Sequence, residues 1–145
     1  MENITIRDFQ PDDFDGLSQV WQLTGLGNPT RGDNLEIILQ SIAMGGKLLV
    51  ALNSESKVIG TSWMTFDGRR IHLHHVGIHP NYQRMGIGKM LTRESLRFVK
   101  TKGYQVKLEV HRDNIAAINL YKQFGFQYLG EYDVYIVRDL NSISI

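Results

Sequence analysis

A glycine-rich turn between a strand-like run and a helix-like run constrains this chain more than any other sequence feature. The turn comprises Gln83, Arg84, Met85, Gly86, Ile87, Gly88 and Lys89. Gly86 and Gly88 have no Cβ, so the backbone can approach an anion closely there. The free N–H groups and the dipole of a first helical turn attract negative charge, and Arg84 and Lys89 can neutralise phosphate oxygens. The turn therefore predicts a phosphate site, with an ordinary strand-to-helix turn as the alternative.

The spacing of this turn, Gln-x-x-Gly-x-Gly, differs from two common nucleotide-binding motifs. It is not the GxGxxG of dinucleotide folds, and it lacks the Gly-Lys-Ser/Thr of a P-loop. Phosphate binding in another structural context is therefore the prediction.

Hydrophobic periodicity and turn residues predict the element order βααβββαβαββ. Strands are expected at residues 4–9, 47–53, 58–66, 71–79, 106–110, 126–131 and 134–138. Pro11 begins the first helix, Gly45 and Gly46 end the second, Gly103 ends the third and Gly125 ends the fourth. Hairpin connections with two late helical crossovers indicate a mixed α/β fold, with a mostly antiparallel sheet of about seven strands and helices on both faces. A length of 145 residues predicts one domain over 1–145.

Charge and composition exclude several classes of function. A net charge of +1 gives no broad attraction to nucleic acid. The absence of Cys excludes disulfides, thiolate metal sites and a cysteine nucleophile. The chain shows neither a signal-peptide core nor an apolar run of membrane-spanning length, so a cytoplasmic protein is expected. His72, His74, His75 and His79 suggest a metal site, but no third ligand follows at a suitable spacing, and no metal is expected.

Two segments in this order resemble the GNAT superfamily of acyl-CoA-dependent N-acyltransferases. The first is Pro80 followed by Gln83-x-x-Gly86-x-Gly88. The second is Asn114-x-x-Ala117-x-x-Leu120-Tyr121-x-x-x-Gly125-Phe126. The element order resembles the same superfamily over nearly the whole chain. The resemblance implies that strands 71–79 and 106–110 part at their C-terminal ends to admit a thioester.

The resemblance also implies acetyl-CoA as co-substrate and assigns the residues that hold it. The turn would bind the pyrophosphate, and the backbone of the last part of strand 71–79 would pair with the pantetheine arm like an added strand. Asn114 would bond the pantetheine region, and Tyr121 would stand beside the sulfur. The implied cofactor-binding residues are Val76, Gly77, Ile78, Gln83, Arg84, Met85, Gly86, Ile87, Gly88, Lys89, Asn114 and Tyr121.

Forming an amide from an amine and a thioester requires a proton acceptor for the amine and a proton donor for the thiolate. With no Cys and no evident Ser-His-Asp arrangement, direct attack in a ternary complex is expected rather than an acyl-enzyme. Tyr121 is the predicted acid, since a phenol of pKa about 10 keeps a proton for a thiolate of pKa about 8.5. A Tyr121 that only packs against the co-substrate is the alternative.

The base has two candidate sites. Glu109 lies twelve residues before Tyr121, in a stretch that resembles ribosomal-protein N-terminal acetyltransferases. His72 and His74 resemble the paired histidines of serotonin N-acetyltransferase. Strand alternation predicts that both histidines share one face with Val76 and Ile78 and that His75 faces the other side. Ordered water without a dedicated base is the third alternative.

The predicted function is an acetyl-CoA-dependent N-acetyltransferase acting on a primary amine, either a small amine or a protein N-terminus. A non-catalytic acyl-CoA-binding module of the same fold is the second hypothesis. The loop at residues 25–32 is expected to border the acceptor site. The chain is expected to be a monomer or a homodimer, without nucleic-acid or membrane partners.

Overall fold

Five strands form one mixed sheet in the computed structural model, which describes residues 2–145. In chain order they are β1 (Thr5–Asp8), β2 (Lys47–Leu52), β3 (Val58–Phe66), β4 (Arg70–Ile78) and β5 (Gln105–Leu108). Each strand pairs with the next one along the chain, and the sheet order is β1-β2-β3-β4-β5. The first three pairings are antiparallel, and β5 joins β4 in parallel. The predicted mixed and mostly antiparallel sheet is confirmed, with five strands instead of seven.

Four helices cover the two faces of this sheet. They are α1 (Phe14–Thr24), α2 (Leu35–Ala43), α3 (Ile87–Lys102) and α4 (Ile115–Gln123). On the face covered by α1 and α2, called the α1 face, Trp21 and Ile38 pack against Trp63. On the opposite face, called the α3 face, residues of α3 pack against Ile71 and Leu73. Helices on both faces were predicted from sequence, and the structure confirms them.

The third helix follows directly from its sequence. The buried residues Ile87, Leu91, Ser95 and Val99 recur every four positions, which places them on one face. Gly103 takes the left-handed conformation with φ 85°, and its N–H donates to the Val99 carbonyl at 2.9 Å. This is the termination expected of a C-terminal glycine.

A β-bulge in β4 corrects one prediction about strand faces. Thr61 pairs with Gly77, but Trp63 pairs with His74, so two residues of β4 lie opposite Ser62 alone. The extra residue reverses the alternation: Val76 and Ile78 pack on the α3 face, whereas His74 stacks on Trp63 of the α1 face. The prediction that the histidine pair shares a face with Val76 and Ile78 is therefore wrong.

The same bulge corrects the predicted direction of His75. Its ring lies 4.6 Å from the ring of Trp21 and 5.2 Å from that of Trp63, between centroids. His75 thus lies on the α1 face, the same face as its neighbour His74. Alternation predicted the opposite side because it does not count an inserted residue.

The two predicted C-terminal strands are absent from the sheet. Residues 126–138 form no ladder, and side chains such as Tyr128, Tyr135 and Ile136 are exposed. Gly130 and Glu131 both have positive φ, 64° and 60°, which interrupts the extended run between the two segments. Apolar alternation at 126–131 and 134–138 predicted strands, but alternation alone does not specify a partner strand. Among residues 2–145, no helix is both long enough and apolar enough to span a membrane.

Candidate active site

The sheet opens between β4 and β5. Their ladder runs from Arg70 paired with Gln105 to Leu73 paired with Leu108 and ends there, while β4 continues to Ile78. The predicted parting of these strands at their C-terminal ends is confirmed. We call this gap, between β4 beyond Leu73 and the chain after Leu108, the seam.

The backbone of β4 beside the seam has a free donor. The N–H of His79 donates to the Ile59 carbonyl at 2.7 Å, across the ladder with β3. Because N–H groups alternate in direction along a strand, the N–H of Ile78 points away from β3 and towards the seam. The Ile78 carbonyl accepts a hydrogen bond from Gln83 Nε2 at 3.1 Å. An extended ligand in the seam can therefore pair with β4 as a further strand.

The glycine-rich turn stands at the end of β4 and opens α3. Arg84 and Gly86 take left-handed conformations, with φ 64° and 82°, and Gly86 is the residue that precedes the helix. The first bond within the helix is donated by Met90 to the Gly86 carbonyl, so the earlier N–H groups of the turn are not used by the helix. Ile87 is buried and anchors the turn to the core, Gly88 is half-buried, and the other residues of the turn are exposed. The turn thus has the local geometry of an anion site.

The fourth helix closes the seam on the α3 face. Asn114 Oδ1 accepts the Ala117 N–H at 3.2 Å, so this side chain caps the helix. Gly88 approaches the helix closely enough that an added Cβ would lie 3.8 Å from Leu120 Cδ2. The start of α3 and the body of α4 therefore meet beside the end of β4.

Tyr121 is held in place by the end of its own helix. Gly125 has φ 100°, and the N–H of Phe126 donates back to the Tyr121 carbonyl at 3.1 Å. This closure is a Schellman motif, and it sets the Phe126 ring edge-on to the Tyr121 ring, 5.6 Å between centroids. Tyr121 packs against the α3-face core. Burial raises the pKa of the Tyr121 phenol, so it keeps its proton at neutral pH.

Two of the three candidate bases, His72 and His74, lie on the α1 face. His72 pairs with Lys107 in the ladder, so these two residues share a face. Glu109 follows Leu108, the last residue of β5, at the point where the ladder with β4 has ended. Glu109 is exposed at the seam. The two histidines therefore lie on the face opposite Tyr121, and Glu109 is the candidate base exposed beyond the end of β5.

The environments of the two histidines differ. His74 stacks flat on Trp63, with 7° between the ring planes, and its Nε2 lies 3.1 Å from Thr65 Oγ1. Burial, with smaller contributions from His75 and His72, lowers the pKa of His74 to about 4. His72 lies near the β3–β4 hairpin, where its Nε2 is 3.5 Å from Asp67 Oδ2. Within residues 2–145, no three His, Asp or Glu side chains are arranged to hold a metal ion.

Comparison with known families decides what kind of protein carries this site. The model of the Acetyltransferase (GNAT) family matches residues 17–126, which include the glycine-rich turn, the seam and α4. The chain belongs to the GNAT family. The resemblance inferred from two short motifs thus holds over most of the sequence.

A curated GNAT relative is N-alpha-acetyltransferase RimI of Mycobacterium tuberculosis. It is 39% identical over 85 residues, which cover 56% of this chain and 52% of the relative. The matched part of the chain therefore spans about half the length of that relative.

Solved structures show the same GNAT fold at low sequence identity. The ribosomal-protein-S18-alanine N-acetyltransferase of Escherichia coli aligns with a TM-score of 0.73 at 20% identity, over 86% of this chain and 78% of the other. The PaiA N-acetyltransferase of Thermoplasma acidophilum, solved in complex with coenzyme A, aligns with a TM-score of 0.72 at 24% identity, over 86% and 90%.

Sequence reasoning about this GNAT site missed the partnership between His75 and Asp33. Asp33 lies in the loop between α1 and α2, and its Oδ1 is 3.1 Å from His75 Nε2. No local pattern links positions 33 and 75, because the contact depends on the bulge and on the path of the loop. The loop predicted at residues 25–32 is held by its own hydrogen bonds. Asp33 Oδ2 accepts the Asn28 N–H at 2.7 Å, and Asn28 Oδ1 accepts the Thr30 N–H at 3.1 Å.

Proposed function

We propose that this chain is an acetyl-CoA-dependent N-acetyltransferase whose acceptor is the α-amine of a protein or peptide. The observation that carries the proposal is the seam, which offers the free Ile78 N–H at the end of β4 with an anion-binding turn beside it. A pantetheine arm fits this opening as an added strand, and its pyrophosphate fits the start of α3. The neighbour solved with coenzyme A supports the same donor.

The residues of the turn have separate roles in this proposal. Backbone N–H groups from Arg84 to Lys89 face the pyrophosphate, and the Arg84 and Lys89 side chains neutralise its charge. Gln83 fixes the turn to the end of β4 through its bond to the Ile78 carbonyl. Asn114, at the start of α4, lies where a pantetheine amide would pass.

The chemistry is a direct transfer in a ternary complex. The amine nitrogen attacks the thioester carbonyl carbon, the C–S bond breaks, and an amide and the free thiol of coenzyme A are formed. Glu109 accepts the proton that the amine loses, directly or through one water, because it is exposed at the seam and its charge attracts an ammonium group. Tyr121 donates its proton to the departing thiolate and regains one from solvent. The Ile78 N–H stabilises the oxyanion.

An α-amine acceptor suits a base of this kind. The ordinary pKa of an α-amino group is about 7.7 to 8.0, whereas that of a lysine-type amine is about 10.4. A larger fraction of α-amine is therefore already deprotonated at neutral pH, and a carboxylate with water can remove the remaining proton. The similarity to N-alpha-acetyltransferase RimI supports the same acceptor class.

The decisive experiment measures thiol release from acetyl-CoA with peptides beginning in Ala, Ser or Met, with the same peptides already N-acetylated, and with small primary amines. We expect turnover with free peptides, none with blocked ones and little with small amines. Turnover with small amines alone would reject the peptide acceptor. No turnover, with coenzyme A still bound in calorimetry, would support the non-catalytic module.

The identity of the base is tested with the best acceptor from that panel. We expect Glu109→Gln to lower kcat by about 10²-fold or more, within the range known for general bases. His72→Asn and His74→Asn serve as comparison variants at the other candidate base site, and we expect each to retain most of the turnover. A larger loss in either histidine variant than in Glu109→Gln would reassign the base.

A further inference from the structure

His75 combines two unusual features at one residue. Its φ is 51°, in the left-handed region that side chains other than glycine rarely adopt. Its Nε2 is buried and lacks a hydrogen bond of acceptable geometry, and no other buried side-chain nitrogen or oxygen in residues 2–145 shares that condition. A strained backbone and a buried polar atom with a poorly formed hydrogen bond each destabilise a fold, so their coincidence points to a functional constraint.

The surroundings of His75 connect β4 with the loop between α1 and α2. Nε2 lies 3.1 Å from Asp33 Oδ1, and the side chains of both residues are about 15% exposed, at 15% and 14%. The contact falls outside the geometry of a good hydrogen bond, so it is a strained hydrogen bond to a carboxylate. Burial lowers the pKa of the His75 imidazole more than Asp33 raises it, so the ring is neutral at neutral pH. The Leu26 carbonyl also faces the ring. A second contact fixes the same region, because a Cβ added to Gly77 would overlap Leu26 Cδ1.

His75 is not placed to take a proton from a substrate. Asp33 and the Leu26 carbonyl face the ring nitrogens, and Trp21 and Trp63 cover its faces and edges. Its backbone carbonyl accepts from Thr61 Oγ1 at 2.8 Å, and Thr61 Oγ1 in turn accepts from Trp21 Nε1 at 2.9 Å. His74 is the other titratable group beside it. These contacts hold the ring still, which suits positioning rather than proton transfer.

We propose that His75 and Asp33 form a latch that holds the loop 25–34 against the β4 bulge and thereby sets the acceptor side of the seam. The bulge at His75 and Val76 begins two residues beyond Leu73, the last β4 residue that pairs with β5. The loop contacts this part of β4 through Asp33 and Leu26. An amine that approaches the seam from this face passes the loop. The assignment to acceptor binding rests on the proposed acetyltransferase function, whereas the latch itself does not.

The latch is tested with His75→Asn, Asp33→Asn and the double variant. Asn tolerates the left-handed backbone, so His75→Asn removes the ring without adding strain. Asp33→Asn removes the charge and keeps an oxygen for the Asn28 N–H. Asp67→Asn is the matched control, because it removes the charge from an exposed contact between the β3–β4 turn and His72 of the same strand as His75.

The first readout is trypsin cleavage after Arg31, within the loop, relative to cleavage after Lys57 in the β2–β3 turn. We expect each single variant to speed cleavage after Arg31 roughly tenfold, as the loss of one hydrogen bond to a carboxylate implies. The double variant should be no faster than the singles, because the two residues act as one pair. Unchanged cleavage, or additive effects in the double variant, would overturn the latch.

The second readout separates positioning from general destabilisation. With an active peptide acceptor, the variants should raise its KM about fivefold or more at nearly constant kcat, with coenzyme A affinity unchanged, as expected for lost positioning of a bound group. A fall in kcat at constant KM would overturn the assignment to acceptor binding. If the wild-type chain acetylates no acceptor, the proposed function fails, and proteolysis still decides the latch.

Discussion

At the scale of single residues, burial assigns different chemical states to the titratable groups around the seam. It raises the pKa of the Tyr121 phenol and lowers the pKa of the His74 imidazole. Both groups are therefore uncharged at neutral pH, one as a protonated donor and the other as a free base. Glu109, exposed beyond the end of β5, is the base proposed for the incoming amine.

Replacing Tyr121 by Phe tests the proton donor. Phe keeps the ring that packs edge-on to Phe126, so we expect coenzyme A affinity and folding to be retained. Turnover should fall by about 10²- to 10⁴-fold, the usual contribution of a general acid. Steady-state kinetics and calorimetry measure the two effects. Tyr104→Phe, at an exposed tyrosine that packs on Phe66, is the control. Unchanged turnover in Tyr121→Phe would leave Tyr121 as a packing residue.

His74 predicts how stability depends on pH. Its pKa is about 4 in the folded chain against an ordinary 6.5, so the folded state binds fewer protons than the unfolded state between these values. The stability that the neutral His74 imidazole gives the folded state is fully present above pH 6.5 and is lost as the pH falls towards 4. Between pH 7 and pH 4.5 it should amount to about 2 to 3 kcal/mol of unfolding free energy.

Urea unfolding at those two pH values measures the effect. The His74→Gln variant should lose about 2 to 3 kcal/mol less than the wild type on acidification, because it lacks the buried imidazole. His111→Gln, at an exposed histidine, should behave like the wild type. Equal losses in His74→Gln and the wild type would assign the acid sensitivity to other groups.

At the scale of elements, sequence patterns located the strands and helices of the first 125 residues well. Helix α3 and the hairpin at Asp67 and Gly68 follow from local signals, because their turn and cap residues lie beside the apolar pattern. Asp67 Oδ1, for example, accepts the N–H groups of Arg69 and Arg70 at 2.8 and 2.6 Å. The glycine-rich turn, the parting of β4 and β5 and the capping role of Gly125 could be read or inferred in the same way.

The features that the sequence did not predict depend on contacts between distant segments. The bulge at His75 is a feature of the pairing between β3 and β4, where two residues of β4 lie opposite Ser62. The bulge turns His75 to the α1 face, where it contacts Asp33. A period of two residues carried through β4 assigns Val76 to the wrong face. The segment 126–138 has strand-like alternation, but nothing in that pattern supplies a pairing edge.

Gly77, the one glycine of β4, should tolerate substitution less well than Gly88 of α3. Gly77→Ala places a methyl group against Leu26 of the α1–α2 loop, so we expect a loss of about 1 to 3 kcal/mol in unfolding free energy, as in other overpacked cores. Gly88→Ala is the comparison, because its nearest neighbours would lie at ordinary contact distances of 3.8 and 3.9 Å. Thermal or urea unfolding without ligand measures both. Similar stabilities for the two variants would show that the loop yields to the added methyl group.

At the scale of the whole molecule, the packed core ends before the chain does. Buried side chains occur from Phe9 to Val99, and every residue from 131 to 145 is exposed. The final segment adds large apolar side chains, Tyr135 and Ile136 among them, without burying them. The sheet and its two helix-covered faces therefore account for the folded core.

A chain shortened to end at Gln127 tests this division. Because the removed residues bury little surface, we expect the unfolding free energy to change by less than about 1 kcal/mol, as for other exposed positions. Urea unfolding of the full and shortened chains gives the comparison. A loss of several kcal/mol would show that the removed residues pack on the folded core, as the strands predicted at 126–131 and 134–138 would.

At the seam, the part of β4 beyond Leu73 has no neighbouring strand on the β5 side. If the thioester arm occupies that edge, the donor substrate becomes part of the protein's secondary structure while it is bound. Binding at 100 times the dissociation constant stabilises a folded chain by about 2.7 kcal/mol. The population of unfolded chains that proteases can cleave then falls as the supply of activated acetyl groups rises. The lifetime of the protein in a cell would then increase with the concentration of its acetyl donor.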